Sequence, residues 1–362
     1  MAAELLSQGT RRDGAKRFAD KLEMRGASVG ASASDDYSEL DFLAPENEMN
    51  EALALAGEML AQPRFSAVEL EKERRHTLAS LRTRYDTIFN VAHDEFLRRL
   101  YGDHPYGRLT EGTADGLRRI GRRDLREWHR SRWRPSTAIF SMESSVPWSR
   151  ARGILERAFA AWSPNGPVAA PANDPAIANS SGDSNVTSRF EQAFLMTGVL
   201  APPAAHPDAL ALKIVNTVIG GGMSSRLFVE LREKLGLAYD VSSFYPTRLR
   251  ESHWAFYIGC SPSNLATAER RMEELLSEIA DKGVTPAEFA QAKAMIRGNF
   301  AMEHQTGRRR GWYLAWWEFL GRGAEYDEQF LKRLGAMRLS EANRVARALL
   351  SKPRLTVRVV PT

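Results

Sequence analysis

The sequence is poor in the residues and patterns that define several protein classes. It has one cysteine, Cys260, in 362 residues, so it forms no internal disulfide, and we expect this thiol to be buried like an apolar side chain. It lacks a run of about 18 apolar residues, which excludes a membrane-spanning helix. Met1–Glu4 leads into a charged helix and not into a signal peptide. The sequence therefore predicts a soluble chain that does not contact a membrane, with the cytoplasm favoured and an N-terminus that could be incomplete.

Histidine is also scarce. The seven histidines include no pair with the spacing His-x-x-x-His, which would place two metal ligands on one helical turn. We therefore expect the histidines to be surface or packing residues and not metal ligands.

An excess of charge of one sign is missing as well: 50 basic and 45 acidic residues give a net charge of +5, which is too balanced to indicate a nucleic-acid partner. The densest basic segment, residues 118–134, combines eight arginines with Trp128 and Trp133. A basic helix with two aromatic side chains could bind phosphates. Its apolar stripe, which includes Leu125, and acidic neighbours such as Asp124 favour an ordinary helix with a solvated, charged face.

The chain divides into two halves of comparable length. Between them lies a segment rich in Pro, Ala, Asn, Ser and Gly without apolar periodicity, which predicts an exposed linker. The predicted boundaries are an N-terminal lobe at 1–165, a linker at 166–188 and a C-terminal lobe at 189–362.

The two halves resemble divergent repeats of each other. Phe65–Leu70 and Val284–Phe289 each follow a turn and open a long charged helix, with a cap at Ser66 or Thr285. Further along each half, a short helix and a basic residue followed by proline precede a strand. These two strands are predicted at Thr137–Met142 and Leu355–Val360.

The apolar periodicity predicts helices that flank meandering strands in both halves. The fold class that follows is α+β, with two homologous lobes, each a mostly antiparallel sheet covered by helices on one face. The predicted helices are Ala15–Arg25, Glu48–Ala61, Ser66–Arg84, Val91–Tyr101, Asp208–Gly220, Ser224–Leu235, Asn264–Lys282 and Pro286–Glu303; the remaining strands lie within Ala27–Leu43 and at Glu191–Val199, Ala238–Thr247 and His253–Cys260.

Residues 220–239 are the most informative segment. Three glycines permit a backbone that other residues would not tolerate, and Ser224 or Ser225 can then cap an amphipathic helix that ends at Gly236. Arg232 in the last turn and Tyr239 just beyond the helix could reach one extended ligand. On spacing alone a structural turn before a helix is the favoured explanation of the glycines, and the pattern is not that of a phosphate-binding loop.

The segment resembles the Arg/Tyr signature in the C-terminal half of pitrilysin/insulinase-type metallopeptidases, whose zinc half carries an inverted His-x-x-Glu-His motif. The resemblance implies two lobes facing each other across a cleft. It gives Arg232 and Tyr239 the role of catalytic contacts to the substrate backbone and oxyanion in trans. The substrate-binding set that it implies is Gly220, Gly221, Gly222, Ser224, Arg232 and Tyr239.

The same resemblance implies that the zinc site is degenerate. Leu5–Thr10 is similar to the sequence that directly follows the zinc motif, which puts the general base at Ala3 and the second histidine at Glu4. The distal carboxylate ligand aligns with Ser80. Alanine takes no proton from a metal-bound water, and serine is a poor anionic ligand. We therefore expect no metal or other cofactor in this chain.

Together these features predict a non-catalytic, substrate-binding subunit of a zinc metallopeptidase that cleaves peptides or unfolded segments. A homologous zinc-bearing chain would be its partner in a heterodimer or larger assembly and would hold the zinc. The alternative is a peptide-binding or structural assembly protein with the peptidase fold and no role in hydrolysis. The sequence does not identify the substrate or the partner.

Overall fold

A computed structural model describes residues 1–162 and 174–362, which form two compact units. The first unit contains Met1–Thr83, the described part of Leu109–Asn173, and Gln305–Ala315. The second contains Arg84–Arg108, Asp174–His304 and Trp316–Thr362. Across the described ranges, no helix combines the length and apolar character needed to cross a bilayer.

The described residues form helices and strands in both units. The helices are α1 Ala2–Leu6, α2 Ala15–Glu23, α3 Met49–Ala61, α4 Ala67–Arg84, α5 Ile88–Tyr101, α6 Ala114–Arg119, α7 Arg122–Arg132, α8 Trp148–Phe159, α9 Ala209–Gly220, α10 Leu265–Lys282, α11 Pro286–Glu303, α12 Gly307–Phe319, α13 Tyr326–Ala336 and α14 Leu339–Leu350. A π-helix spans Phe228–Lys234. The strands are β1 Ser28–Ala33, β2 Ser38–Leu43, β3 Gly182–Ser188, β4 Ala193–Ala201, β5 Ala238–Phe244, β6 Ser252–Cys260 and β7 Leu355–Pro361.

The first unit is mainly helical. Its sheet, as far as the described residues go, is the antiparallel pair β1–β2, with Ser28 opposite Leu43 and Ala33 opposite Ser38. Helices α1 to α4 supply a buried apolar cluster that includes Leu6, Phe18 and Met59, and this cluster is the core of the unit.

The second unit contains a five-stranded sheet in the order β3-β7-β4-β6-β5. β3 runs parallel to β7, and the other neighbouring strands are antiparallel. All nine residues of the central strand β4 are buried, because α5 packs on one face of the sheet while α10 and α14 also contact β4. β5 is an edge strand. Cys260, at the end of β6, is buried and free, as predicted.

The helix starts predicted for the two repeats are confirmed. The Ser66 hydroxyl accepts a hydrogen bond from the Glu69 amide (3.2 Å) before α4, and the Thr285 hydroxyl accepts one from the Glu288 amide (3.3 Å) before α11. Each helix begins one residue after its cap.

Three expectations about strands and boundaries need correction. The predicted strand Thr137–Met142 is wrong, because no described strand pairs with this segment and a strand needs a ladder partner. The predicted linker 166–188 falls partly on residues 163–173, outside the described residues, and its end is wrong, since Gly182–Ser188 is β3. The observed units also place 84–108 with the second unit and 305–315 with the first, unlike the linear division at 1–165 and 189–362.

Candidate functional site

Close packing requires glycine at positions 220 and 221 and leaves little room for a side chain at position 222. A Cβ on Gly220 would overlap the amide nitrogen of Ser243 in β5. A Cβ on Gly221 would come within 2.6 Å of the Thr217 Cα, and one on Gly222 within 3.2 Å of the Met295 Cε. The expectation that these glycines adopt a backbone forbidden to other residues is wrong, because none of them has a positive φ.

The expected serine cap of the next helix is also wrong. The Ser224 hydroxyl accepts a hydrogen bond from the Gln291 side-chain amide (3.0 Å). The Ser225 hydroxyl is buried and makes no hydrogen bond within the described part of the chain. Ser225 contributes its backbone instead, since its carbonyl accepts from the Val229 amide (3.0 Å) at the start of the helix.

Arg226 anchors the start of this helix to α11. Its guanidinium donates to both carboxylate oxygens of Glu288, at 2.6 and 2.8 Å, and to the Gly283 carbonyl at 3.3 Å. Burial raises the pKa of Glu288, but hydrogen bonds from Arg226 and Thr285 outweigh it and lower this pKa from 4.5 to about 2. The pair is a structural clamp.

Arg232 lies in the last turn of the π-helix Phe228–Lys234 and is exposed. Its guanidinium stacks over the Phe228 ring, 4.9 Å from the ring centroid, which holds the cation at the surface. Gly236 follows the last turn and terminates the helical segment, with a φ of +61° that suits glycine. A π-helix inside α-helical surroundings is rare and is found frequently at functional sites.

Tyr239 is the extra residue of a β-bulge in the edge strand β5. Ala238 pairs with Cys260 and Asp240 with Gly259, so Tyr239 has no residue opposite it on β6. The residue is 77% exposed. Bulges at sheet edges turn a side chain away from the regular alternation, and here the bulge presents the phenol to solvent.

Arg232 and Tyr239 therefore lie on consecutive elements of the second unit, with only Leu235–Ala238 between the π-helix and the tyrosine. Both offer hydrogen-bond donors to the surface beside a sheet edge. A guanidinium and a phenol can donate to carbonyl oxygens, and a strand edge can pair with an extended backbone.

Sequence reasoning missed two supporting residues. Phe228 lies four residues before Arg232, and its ring packs against the Arg232 guanidinium. The spacing of four residues on a helix could have indicated this contact. Glu288 binds Arg226, and its place in the Thr285-x-x-Glu288 capping box was visible in the sequence, but its second bond partner was not.

The positions aligned with the zinc site lie in the first unit. Ala3 is buried in α1, Glu4 of the same helix is exposed, and Ser80 is exposed on α4. Within residues 1–162 and 174–362, no three His, Cys, Asp or Glu side chains are grouped so as to hold a metal ion. The absence of metal from this chain stays a prediction.

Comparison with known proteins places the chain in a family. A model of the insulinase family (peptidase family M16) matches residues 2–114, and a model described as the peptidase M16 inactive domain matches residues 119–296. An uncharacterized zinc protease of Mycobacterium leprae is 26% identical over 356 residues, which cover 96% of this chain and 79% of the relative. A non-peptidase homolog of Helicobacter pylori, YmxG, is 25% identical over 369 residues, covering 99% of this chain and 83% of the homolog.

A solved structure shows the same fold. The crystal structure of a peptidase M16 inactive domain from Pseudomonas fluorescens matches with a TM-score of 0.91 at 22% identity, covering 100% of this chain and 87% of that one. The two family models together span most of the sequence. The chain thus belongs to the pitrilysin/insulinase (M16) peptidase family and has its peptidase-like, two-lobed α+β fold.

Proposed function

We propose that this chain is the non-catalytic, substrate-binding subunit of a zinc metallopeptidase whose metal is held by a homologous partner chain. The observation that carries the proposal is the exposure of Tyr239 in the edge strand β5 and of Arg232 in the helix directly before it. Neither side chain is buried in the core, so their surface positions leave both available to a ligand.

The chemistry of the two residues suits an extended peptide. The Arg232 guanidinium would donate charge-assisted hydrogen bonds to a substrate carbonyl, or to the oxyanion that develops on the scissile carbonyl. The Tyr239 hydroxyl would donate another. A peptide lying along β5 as an added strand would satisfy backbone groups on both sides, which favours unfolded segments over folded proteins.

The degenerate positions in the first unit support a division of labour. Ala3 and Ser80 carry neither a general base nor an anionic ligand, and Glu4 alone is a weak zinc site. The names of an inactive domain and of a non-peptidase homolog among the matches agree with a chain that does not hydrolyse peptides by itself. The zinc and its activated water would come from the partner.

The test combines this chain with a homologue that has an intact His-x-x-Glu-His motif. We expect neither chain alone to cleave a fluorogenic peptide efficiently, and the mixture to be active. Arg232→Ala and Tyr239→Phe in this chain should lower kcat/KM of the mixture by about 100-fold and 10-fold, the range for losing one oxyanion donor or one weaker bond.

The matched control is Arg297→Ala, which removes an exposed arginine from α11 in the same unit. It should leave kcat/KM unchanged. Full activity of the zinc-bearing homologue alone, or equal loss in Arg232→Ala and Arg297→Ala, would contradict the proposal.

The alternative is a peptide-binding or assembly protein that takes no part in hydrolysis. The same exposed Arg232 and Tyr239 support it, because they would bind a peptide in the absence of a zinc chain. Tight binding of an unfolded peptide by this chain alone, lost in Arg232→Ala, with no turnover on adding a zinc-bearing homologue, would favour this alternative.

A further inference from the structure

The first unit contains a cavity of about 690 Å³ lined by positive charge. It lies where the loop before α4 and the first turn of that helix meet α7. None of the described residues that line it is acidic, and five of them are exposed arginines: Arg11, Arg64, Arg122, Arg126 and Arg130. Like charges gathered around a concave surface repel one another, and a bound anion would relieve that repulsion.

The first turn of α4 adds backbone donors to the arginines. The Ser66 hydroxyl accepts from the Glu69 amide, which leaves the amides of Ala67 and Val68 without an acceptor inside the helix. Both residues line the cavity. Because α4 is 18 residues long, its dipole also favours negative charge at this end.

The loop that shapes the cavity is held in one conformation. Phe65 is 1% exposed and has a φ of +43°, in the left-handed region that favours glycine. Its carbonyl accepts a hydrogen bond from the Arg122 Nε (2.7 Å), and the neighbouring Arg64 amide donates to the Gly9 carbonyl (3.1 Å). Backbone strain of this kind persists where the surroundings determine it, and it is concentrated at binding and catalytic sites.

A buried polar group at the cavity supplies a second, independent indication of a ligand. The His129 ring lines the cavity, is 8% exposed and packs edge-on against Phe65. Its Nε2 is buried and has no hydrogen-bond partner within the described part of the chain. Burial lowers the pKa of His129 more than its hydrogen bond to the Leu60 carbonyl raises it. A nearby anion would oppose that effect.

We propose that this cavity binds a small molecule that carries two or more phosphate groups. Its volume lies in the range of small-ligand sites. Guanidinium groups bind phosphate oxygens two at a time, and helix amides donate to the same oxygens. The concave shape suits a compact polyphosphate better than the continuous backbone of a nucleic acid. This binding site belongs to the first unit and is separate from Arg232 and Tyr239.

The experiment is calorimetric titration of the full chain with inorganic triphosphate. We expect one site per chain, with a dissociation constant that rises about tenfold in Arg126→Glu and in Arg64→Glu. The matched control is Arg123→Glu, the same charge reversal on α7 at an exposed residue that does not line the cavity; it should change the constant less than about threefold. Circular dichroism establishes that each variant is folded.

Further titrations compare possible ligands: a free polyphosphate, a nucleotide, another polyanion and a nucleic acid. Both triphosphate and ATP carry the phosphate groups that the proposal requires, so binding of either supports it. ATP that binds more tightly than triphosphate indicates a nucleotide ligand, and ATP that binds no more tightly indicates a free polyphosphate. Citrate that binds as tightly as triphosphate would overturn the phosphate assignment. An equal loss of affinity in Arg123→Glu and Arg126→Glu, no binding of either phosphate compound, or tighter binding of single-stranded DNA at the same arginines would overturn the proposal.

Discussion

The two ends of the Gly220–Tyr239 segment lie in different surroundings. At its start, Gly220 packs against the backbone of β5, and Arg226, with a side chain 17% exposed, is clamped by Glu288. At its end, Arg232 is exposed and Tyr239 is 77% exposed on a bulge. The first end is explained by packing and the second is not. The segment resembles one signature but has two parts. Its first part, with Gly220 and Arg226, stabilises the fold, and its last part, with Arg232 and Tyr239, is exposed and available to a ligand.

The largest effect on stability should come from Gly220→Ala. The new Cβ would overlap the Ser243 amide nitrogen and displace β5 or α9, at a cost of about 3 kcal/mol in the free energy of unfolding. Urea denaturation measures this cost. The matched control is Gly298→Ala within α11, where an added Cβ meets nothing within 4 Å and should stabilise the chain by about 0.5–1 kcal/mol. Equal effects of the two substitutions would contradict the packing role of Gly220.

We expect Arg226→Ala to lower the free energy of unfolding by less than Gly220→Ala does. This variant leaves the Glu288 carboxylate, which is partly buried, without its bidentate partner, and should cost about 2 kcal/mol, between the values for surface and buried pairs. The exposed pair of Arg271 and Glu274 is the comparison, and Arg271→Ala should cost about 0.5 kcal/mol or less. A loss in Arg226→Ala no greater than that in Arg271→Ala would remove the distinction between a clamp and a surface pair.

The same clamp should respond to acid. The pKa of Glu288 is lowered from 4.5 to about 2 in the folded chain, so the unfolded chain takes up the proton first as the pH falls. The stabilisation is complete above pH 4.5 and is lost as the pH falls toward 2. We therefore expect the difference in unfolding free energy between the wild type and Glu288→Gln to shrink over this range. If the difference in unfolding free energy between the two proteins stays constant from pH 6 to pH 3, the pKa of Glu288 is not lowered by its contact with Arg226.

The smallest effect on stability should come from Arg232→Ala. Its side chain is exposed and its one described ring contact is with Phe228, so the loss should be about 0.5 kcal/mol or less. Thermal unfolding of Arg232→Ala, with Arg297→Ala as the control, measures this loss of stability. A loss above about 1 kcal/mol would mean that Arg232 supports the fold, and the contrast between the two ends of the segment would disappear.

Local patterns in the sequence were sufficient to predict many of the helices and strands of the second unit. Helix α11 begins and ends where predicted, at Pro286 and Glu303, because proline in the first turn and the Thr285–Glu288 capping box act within a few residues. The strands β5 and β6 were found for the same reason, since segments that contain aromatic and β-branched residues stand between turns.

The features that depend on distant partners were not predictable from local patterns. β3 is polar and has one buried residue, Ser184, so only its pairing with β7 makes it a strand. Thr137–Met142 has a strand-like composition but no ladder partner among the described residues. The π-helix around Arg232 and the bulge at Tyr239 arise from how one element meets the next, which the Arg/Tyr spacing alone does not reveal.

The bulge at Tyr239 has a consequence for how this segment can change in evolution. Asp240–Phe244 pair with β6 in regular register, and Tyr239 is the single residue in excess. Loss of its codon would close the bulge and let the ladder run on without exchanging the two faces of β5. One in-frame deletion would thus remove the exposed phenol, and with it the proposed ligand contact, while the sheet stays intact and the chain still folds.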